Sequence, residues 1–203
     1  IALGAVGMTT FALLYYPQAT IPAISRDLDV TVADAALTIS AATIGLAAAV
    51  LGWSWVANRF GRTRVITLAL LAAVALGFLI PFAPSFELLV ATRVLQGVAL
   101  GGTPALALTY LAEEVDPRDA MVASGTYISG TVIGGLAGRL VAAPVADVTD
   151  WRIGGLVVTA LSALGALLAV VLLPNARNFR PATGGQQRVV RDGVAASLRN
   201  PAL

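Results

Sequence analysis

Two polar side chains, Arg93 and Gln96, stand one helical turn apart within the apolar stretch "LLVATRVLQGVALGG". A guanidinium offers five N–H donors, and a carboxamide offers donors and an acceptor, which suits recognition of a polar solute. The 203-residue sequence contains no histidine and no cysteine. The commonest general base and the thiolate ligands of metal sites are therefore missing, and we expect neither a metal nor a cofactor.

Acidic side chains are missing from the middle of every apolar stretch, and Asp34 and Glu87 lie near the ends of two of them. An enzyme without histidine or cysteine would need serine or carboxylate chemistry, and the sequence has no Gly-x-Ser-x-Gly elbow. We therefore predict that the chain is not an enzyme. A proton carrier is usually a buried acid whose pKa lies near neutrality. Asp34 is a weak candidate for that role, and a carrier is expected elsewhere.

Apolar residues make up 58% of the sequence and charged residues 12%, whereas about a quarter of the residues in a soluble protein are charged. A transmembrane helix needs about 20 apolar residues. These runs are too long for barrel strands and do not alternate, so they predict an all-α membrane protein with six transmembrane helices, here called spans 1 to 6. The six segments are 1–24, 33–57, 65–82, 87–111, 120–143 and 153–174.

The arginines predict the orientation of the spans. Nine lie on one side, and only Arg26 and Arg152 lie on the other. The positive-inside rule places the nine, and with them both termini, in the cytoplasm. No nucleic-acid partner is expected, because the arginines do not form a soluble face with interleaved aromatic residues. The nine are Arg59, Arg62, Arg64, Arg118, Arg177, Arg180, Arg188, Arg191 and Arg199.

Spans 3 and 6 are almost wholly apolar and uncharged, whereas spans 1, 2, 4 and 5 carry the polar, glycine and proline positions. If the spans are grouped as 1–3 and 4–6, the helix suited to face lipid is the third of each group. This order predicts a 3+3 inverted repeat, as in one half of certain secondary transporters.

Pro17 and Pro22 should bend or break span 1, because proline lacks the backbone N–H that a helix needs. Opened backbone near mid-membrane is often where ligands bind. We therefore predict substrate contacts at Tyr16, Gln18 and Thr20, together with the Arg–Gln pair of span 4. The alternative for Tyr16 and Thr20 is that they lie at the membrane interface or bond the backbone.

Arg93 lies about two turns into span 4, where a charge costs a few kcal/mol in lipid. Two explanations are open: a functional role shared with Gln96 on the same face, or snorkelling of the side chain to the outer headgroups. Arg139 lies closer to the outer end of span 5, and snorkelling is the expectation there.

Small residues form stripes on spans 2 and 5. They include Gly45 and Gly52 on span 2 and Gly130, Gly134 and Gly138 on span 5. Such stripes let helix backbones approach closely. We expect helix-packing surfaces, and in a two-bundle protein these stripes would be the sliding contacts with the second bundle.

The loop "SWVANRFGRTRVI" resembles the signature between spans 2 and 3 of the major facilitator superfamily: Gly, three residues, Asp, Arg, any residue, Gly, Arg. Ser54 stands where Gly is expected, and Asn58 where Asp is expected. The resemblance implies a cytoplasmic gate, with a weaker latch because Asn58 has no charge to interact with a helix dipole. The matching positions are Arg59, Gly61, Arg62 and Arg64.

Two further stretches carry the same resemblance. Span 4 matches at Arg93, Gln96 and Gly97, and "GTYISGTVIGGLAGR" resembles the glycine-rich span 5 motif of the antiporter branch, although Gly135 stands where proline is common. With "YYPQATIPAISRDL" and "NARNFRP", these stretches resemble the arabinose-efflux-permease-like branch of drug:proton antiporters. The resemblance implies a multi-pass protein of the bacterial inner (plasma) membrane.

Residues 1–174 are thus expected to form the amino-terminal six-helix bundle of a twelve-span secondary transporter, and residues 175–203 to begin its cytoplasmic linker. The resemblance implies export of a small organic solute or drug by proton antiport and alternating access. The partners would be that solute, protons, the lipid bilayer and a second six-helix bundle. Two other hypotheses are open: a homodimeric half-transporter made of two copies, or a membrane assembly protein without transport activity.

Overall fold

The computed structural model describes residues 1–174, and the predicted linker at 175–203 lies outside the described residues. All regular structure in the described part is helical. Helices suit lipid, because they pair their own backbone groups. The helices are α1 (Ala2–Tyr15), α2 (Ile21–Asp27), α3 (Val32–Phe60), α4 (Arg62–Leu79), α5 (Phe86–Leu100), α6 (Pro104–Glu114), α7 (Ala120–Val148) and α8 (Trp151–Leu172), with 3-10 turns at Tyr16–Ala19 and Ile80–Phe82.

The membrane-spanning character of spans 2 to 6 is evident from their length and composition. Span 1 consists of α1, a 3-10 turn and α2, and the turn divides it into helices of 14 and 7 residues. The all-α membrane fold is confirmed, with span 1 interrupted where its prolines predict. Within residues 1–174, five stretches are long and apolar enough to cross a membrane: Val32–Phe60, Arg62–Phe82, Phe86–Glu114, Ala120–Val148 and Trp151–Leu172.

Helix lengths repeat in the order expected for a 3+3 inverted repeat. The second spans of the two triplets, α3 and α7, are both 29 residues long. Both first spans are interrupted, after a 14-residue α1 in span 1 and a 15-residue α5 in span 4. Span 4, expected over 87–111, lies within the apolar stretch Phe86–Glu114, and it is interrupted where α5 ends at Leu100 and α6 begins at Pro104.

Local sequence explains the break in span 4. Two glycines with low helix propensity precede Pro104, which occupies the first turn of α6 as proline often does. The N–H of Gly102 bonds the carbonyl of Ala99 at 3.2 Å, so the carbonyl of Val98 lacks its usual helical donor. The indole Nε1 of Trp53 in α3 donates to that carbonyl at 2.6 Å.

The glycine stripes lie where helices pack within the bundle, span 5 on span 1 and span 2 on span 4. A Cβ at Gly130 or Gly134 would overlap the backbone of α1, and at Gly138 it would lie 2.9 Å from an α1 carbonyl oxygen. A Cβ at Gly45 would overlap the carbonyl of Val94 in α5. These four glycines are therefore needed for close backbone approach.

The same contacts correct the idea that the stripes slide against a second bundle. The four glycines face backbone of their own chain and are not available to another one. Gly52 differs, since it is exposed and a Cβ there would meet no atom within 4 Å. Gly97 and Gly101 of span 4 complete the contact between spans 2 and 4 by facing Ala42 and Leu46.

At the end of the bundle opposite the arginine-rich loop, α2 is tied to α8. The carboxylate of Asp27 accepts a hydrogen bond of 3.0 Å from the indole of Trp151 and pairs with Arg152. The indole hydrogen bond and, after it, the Arg152 guanidinium lower the pKa of Asp27 below its ordinary value.

We expect Gly134→Ala to destabilise the bundle, and Gly52→Ala to leave its stability unchanged or slightly raised. The methyl group at position 134 meets the backbone of α1, and overpacking costs about 1–3 kcal/mol. The methyl group at position 52 enters open space, and alanine favours a helix by about 1 kcal/mol over glycine. Thermal unfolding of the detergent-solubilised variants measures both effects. Equal midpoints would contradict the packing assigned to span 5.

The Asp27 carboxylate should add stability above about pH 4 and lose that contribution as the pH falls. Its pKa is lower in the folded than in the unfolded protein, so protonation weakens the folded state selectively. The pair is partly exposed, so we expect less than about 1 kcal/mol. Unfolding midpoints of the wild type and Asp27→Asn should converge as the pH is lowered from about 7 to about 3. A gap that does not change with pH would argue against this contribution.

Candidate functional site

Arg93 lies at the centre of the bundle with none of its surface exposed. Its guanidinium donates to three backbone carbonyls: Nε to Thr38 at 3.0 Å, Nη1 to Leu13 at 3.0 Å and Nη2 to Leu14 at 2.8 Å. Nη1 also donates to the side-chain oxygen of Gln96, one turn further along α5. All three guanidinium nitrogens are therefore paired, as a buried cation requires.

Pro17 explains why a carbonyl is available to Arg93. In a continuous helix the carbonyl of Leu13 would accept from the backbone N–H of residue 17, and proline has none. The chain enters the 3-10 turn Tyr16–Ala19 at this point, and Arg93 supplies the missing donor from span 4. The break in span 1 is thus capped by a side chain from the opposite repeat.

Gln96 extends the network to span 3. Its carboxamide nitrogen donates to the carbonyl of Ala73 in α4 at 3.0 Å, while its oxygen accepts from Arg93. Two side chains of span 4 therefore connect spans 1, 2, 3 and 4. The snorkelling alternative for Arg93 is wrong, because the side chain points into the bundle.

Tyr16 and Thr20 also face the interior. Tyr16 is 2% exposed and packs with Ala142 and Val158 between spans 1, 5 and 6. Thr20 is 1% exposed, and its hydroxyl donates to the carbonyl of Pro17 at 3.2 Å. In this conformation Thr20 therefore follows the alternative in which its hydroxyl bonds the backbone.

Gln18 is the exposed member of the predicted contacts. Its side-chain oxygen accepts a hydrogen bond of 2.6 Å from Nε of Arg139 in α7. The guanidinium of Arg139 lies over the ring of Tyr15, with Cζ 5.0 Å from the ring centroid. The ring of Phe11 lies 5.8 Å from that of Tyr15. Arg139 thus contacts side chains of span 1, and its extension to the headgroups stays a prediction.

The structure brings the predicted contacts together around the break in span 1, but four of the five are enclosed by protein. Substrate contact by these four stays a prediction. Tyr15 and Phe11 were not among the predicted residues, although Phe11, Tyr15 and Gln18 have the i, i+4, i+7 spacing of one helical face. The four enclosed residues are Tyr16, Thr20, Arg93 and Gln96.

The arginine-rich turn between α3 and α4 is built on Gly61 and Arg62. Gly61 has a φ of 93°, which favours glycine. Arg62 makes two hydrogen bonds of 2.6 Å to the carboxylate of Glu113 in α6 and one of 3.1 Å to the side-chain oxygen of Asn58. The turn is therefore attached to the end of span 4 through Glu113, which was not among the predicted residues.

Asn58 accepts from a guanidinium here, so it keeps the acceptor of the expected Asp without its charge. Arg59 and Arg64 are exposed, and Arg59 lies 5.8 Å from the centroid of the Phe60 ring. The gating role of the turn, which rests on these residues with Gly61 and Arg62, stays a prediction.

Comparison with known proteins identifies the family. The sequence profile of the Major Facilitator Superfamily matches residues 2–202. The MFS-type transporter YybF of Bacillus subtilis is 34% identical over 180 residues, and the inner membrane transport protein YnfM of Escherichia coli is 35% identical over 181 residues. Both alignments cover 89% of this chain but only 45% and 43% of the relatives, so the chain spans less than half their length.

A solved structure with the same helix arrangement supports the match. The peptide transporter POT, in complex with sulfate, superposes with a TM-score of 0.71 over 97% of this chain and 44% of its own. At 14% identity, this likeness concerns the fold alone. With the family profile, the two relatives and the repeated helix pattern in agreement, the chain belongs to the Major Facilitator Superfamily of membrane transporters.

Proposed function

We propose that the chain is one six-helix bundle of an alternating-access exporter that moves a small organic solute across the bacterial inner membrane. The observation that carries this proposal is a family match over residues 2–202, combined with alignments that reach less than half of the relatives' length. A second six-helix bundle would complete the path. The solute would bind at mid-membrane between the two bundles.

The side-chain network suits a bundle that moves as one rigid body. Arg93 and Gln96 join four spans through bonds to backbone carbonyls. Glycine contacts join span 5 to span 1 and span 2 to span 4. We assign Arg93 a positioning role in this conformation: it fixes the break in span 1, and span 1 carries the exposed Gln18.

The arginine-rich turn suits a gate at the cytoplasmic surface, where its charge would place it. Arg62, Asn58 and Glu113 fix the shape of the turn. The exposed guanidinium groups of Arg59 and Arg64 are then available to the second bundle. Both termini would lie on the same side.

Export and proton antiport rest on the resemblance of the span 5 glycine motif to that of antiporters. A proton carrier must be an acid or base at depth, and spans 1 to 6 contain no such acid. Asp34, the weak candidate, lies in the first turn of α3 and accepts a hydrogen bond of 2.6 Å from Thr31. We therefore assign the proton carrier to the second bundle.

The mass of the polypeptide in its native membrane tests the two-bundle arrangement. A denaturing blot with an antibody against residues 175–203 should show a band at roughly twice the 20.7 kDa of this chain. The reason is that the transport path lies between two six-helix bundles, and this chain supplies one of them. A band at 20.7 kDa would overturn a single-chain transporter and support two copies, or an assembly role, instead.

Substitution of Arg93 tests the positioning role in the complete protein. We expect Arg93→Ala to abolish or strongly reduce transport while membrane insertion is retained. The change removes the hydrogen bonds that Arg93 donates to the carbonyls of Leu13, Leu14 and Thr38, and a buried acceptor left unsatisfied costs about 1–3 kcal/mol. Arg93→Lys should restore transport only in part, because an ammonium lacks the planar fork that reaches three acceptors.

Transport in membrane vesicles, measured as a function of solute concentration, separates the possible roles. A positioning role predicts a lower maximal rate with little change in KM, whereas a substrate contact predicts a raised KM. Thr92→Ala is the matched control, because Thr92 bonds only the Leu88 carbonyl of its own helix, at 2.7 Å. Normal transport by Arg93→Ala would refute any role for this side chain.

A further inference from the structure

Arg139 is a guanidinium with unused donors. Its Nε donates to Gln18 at 2.6 Å. Within residues 1–174 its terminal nitrogens, Nη1 and Nη2, have no protein acceptor and no acidic partner. Arg93, by contrast, uses all three of its nitrogens. These terminal N–H groups are therefore the donors that Arg139 can offer to a partner outside this part of the chain.

Arg139 faces away from the helices that surround span 5. Successive residues of a helix are about 100° apart. Gly138 packs on α1, while Ala137 and Val141 line a groove against span 6. Arg139 lies about 200° around the helix from Ala137, on the flank of span 5 remote from span 6. That flank meets the edge of span 1 that carries the exposed Gln18.

Aromatic rings lie beside the charge. We call Phe11, Tyr15, Gln18 and Arg139 together the Arg139 surface. The Tyr15 ring lies beneath the guanidinium at 5.0 Å, which restricts the side chain by a cation–π contact. The Phe11 ring continues this apolar wall along span 1. The surface therefore presents unused N–H donors next to aromatic carbon.

No acidic side chain of the neighbouring elements neutralises this surface. Helix α1 contains no acid. Asp27 at the end of α2 already pairs with Arg152 of α8. The nearest acid further along α7 is Asp147, eight residues on, which corresponds to about 12 Å along the helix axis. The charge of Arg139 is thus available to an anion.

We propose that the Arg139 surface binds the carboxylate of a small organic anion, with Nη1 and Nη2 as donors. Guanidinium nitrogens match the two oxygens of a carboxylate in geometry and spacing. The apolar body of the anion would lie against Tyr15 and Phe11. The proposal rests on the proposed transport function and specifies its substrate class as organic carboxylates.

The test uses the complete protein, purified in neutral detergent, and probes that differ only in charge. The pairs are benzoate with benzamide, phenylacetate with phenylacetamide, and hexanoate with hexanamide. Calorimetric titration measures the affinity for each. We expect at least one carboxylate to bind and its amide not to bind. Arg139→Gln should weaken carboxylate binding at least tenfold, since it removes a charge-assisted bidentate pair.

A second variant keeps the guanidinium of Arg139 and occupies it with a carboxylate of the protein itself. Gln18→Glu preserves the shape of the side chain and places a carboxylate on Arg139. It should also weaken carboxylate binding at least tenfold, while the unfolding midpoint stays at or above that of the wild type. Arg26→Gln is the control, because Arg26 is exposed at the same end of the bundle and donates only to the Pro22 carbonyl, at 3.2 Å. We expect this control to bind like the wild type.

Several outcomes would overturn the proposal. They are unchanged carboxylate affinity in Arg139→Gln, amides that bind as tightly as carboxylates, and no binding of any carboxylate probe. Phosphatidylglycerol that binds the wild type but not Arg139→Gln, with no carboxylate binding, would assign the surface to a lipid headgroup instead. Equal transport of a carboxylate by wild type and Arg139→Gln would remove this inference and leave the proposed function intact. Absence of transport for every solute would remove the function itself.

Discussion

The structure depends on a buried guanidinium that replaces a backbone N–H. Pro17 removes a helical donor from span 1, and the carbonyl of Leu13 would be unpaired in a medium without water. Arg93 donates to it from span 4 and also binds carbonyls of Leu14 and Thr38. A charge that would be costly in lipid is stabilised by carbonyl dipoles, and the Leu13 carbonyl among them has lost its helical donor to Pro17. The break in one repeat and the arginine of the other therefore require each other.

The second break is paired in the same way with different residues. In span 4 the turn at Gly102 leaves the carbonyl of Val98 without its helical donor, and Trp53 of span 2 donates to it. Each interrupted span is thus capped by a side chain from another span: span 1 by Arg93 of span 4, and span 4 by Trp53 of span 2. Close approach makes this reach possible, because glycine contacts bring the backbones of spans 1 and 5, and of spans 2 and 4, together.

Patterns of single helices were readable from the sequence, and contacts between helices were not. Hydropathy predicts the spans, and Pro17 predicts the break in span 1, because both follow from local chemistry. The break at Gly102 was missed, since glycine within a span is as often a packing position. That Arg93 and Tyr16 point into the bundle depends on how neighbouring helices are rotated relative to one another, and the periodic pattern of one helix does not fix that rotation. The Glu113 partner of Arg62 was missed for the same reason.

Two arginines of the same bundle differ in what the chain does with their donors. Arg93 is enclosed, and its nitrogens are all bonded to the protein, so it contributes order and has no donor left for a solute. Arg139 is oriented by one hydrogen bond and one ring, and its terminal nitrogens stay unpaired within the described residues. The first arginine fixes the break in span 1, and Gln18, which orients the second, lies in that break. Arg93 of span 4 therefore holds the break that carries Gln18, and Gln18 in turn orients Arg139 of span 5.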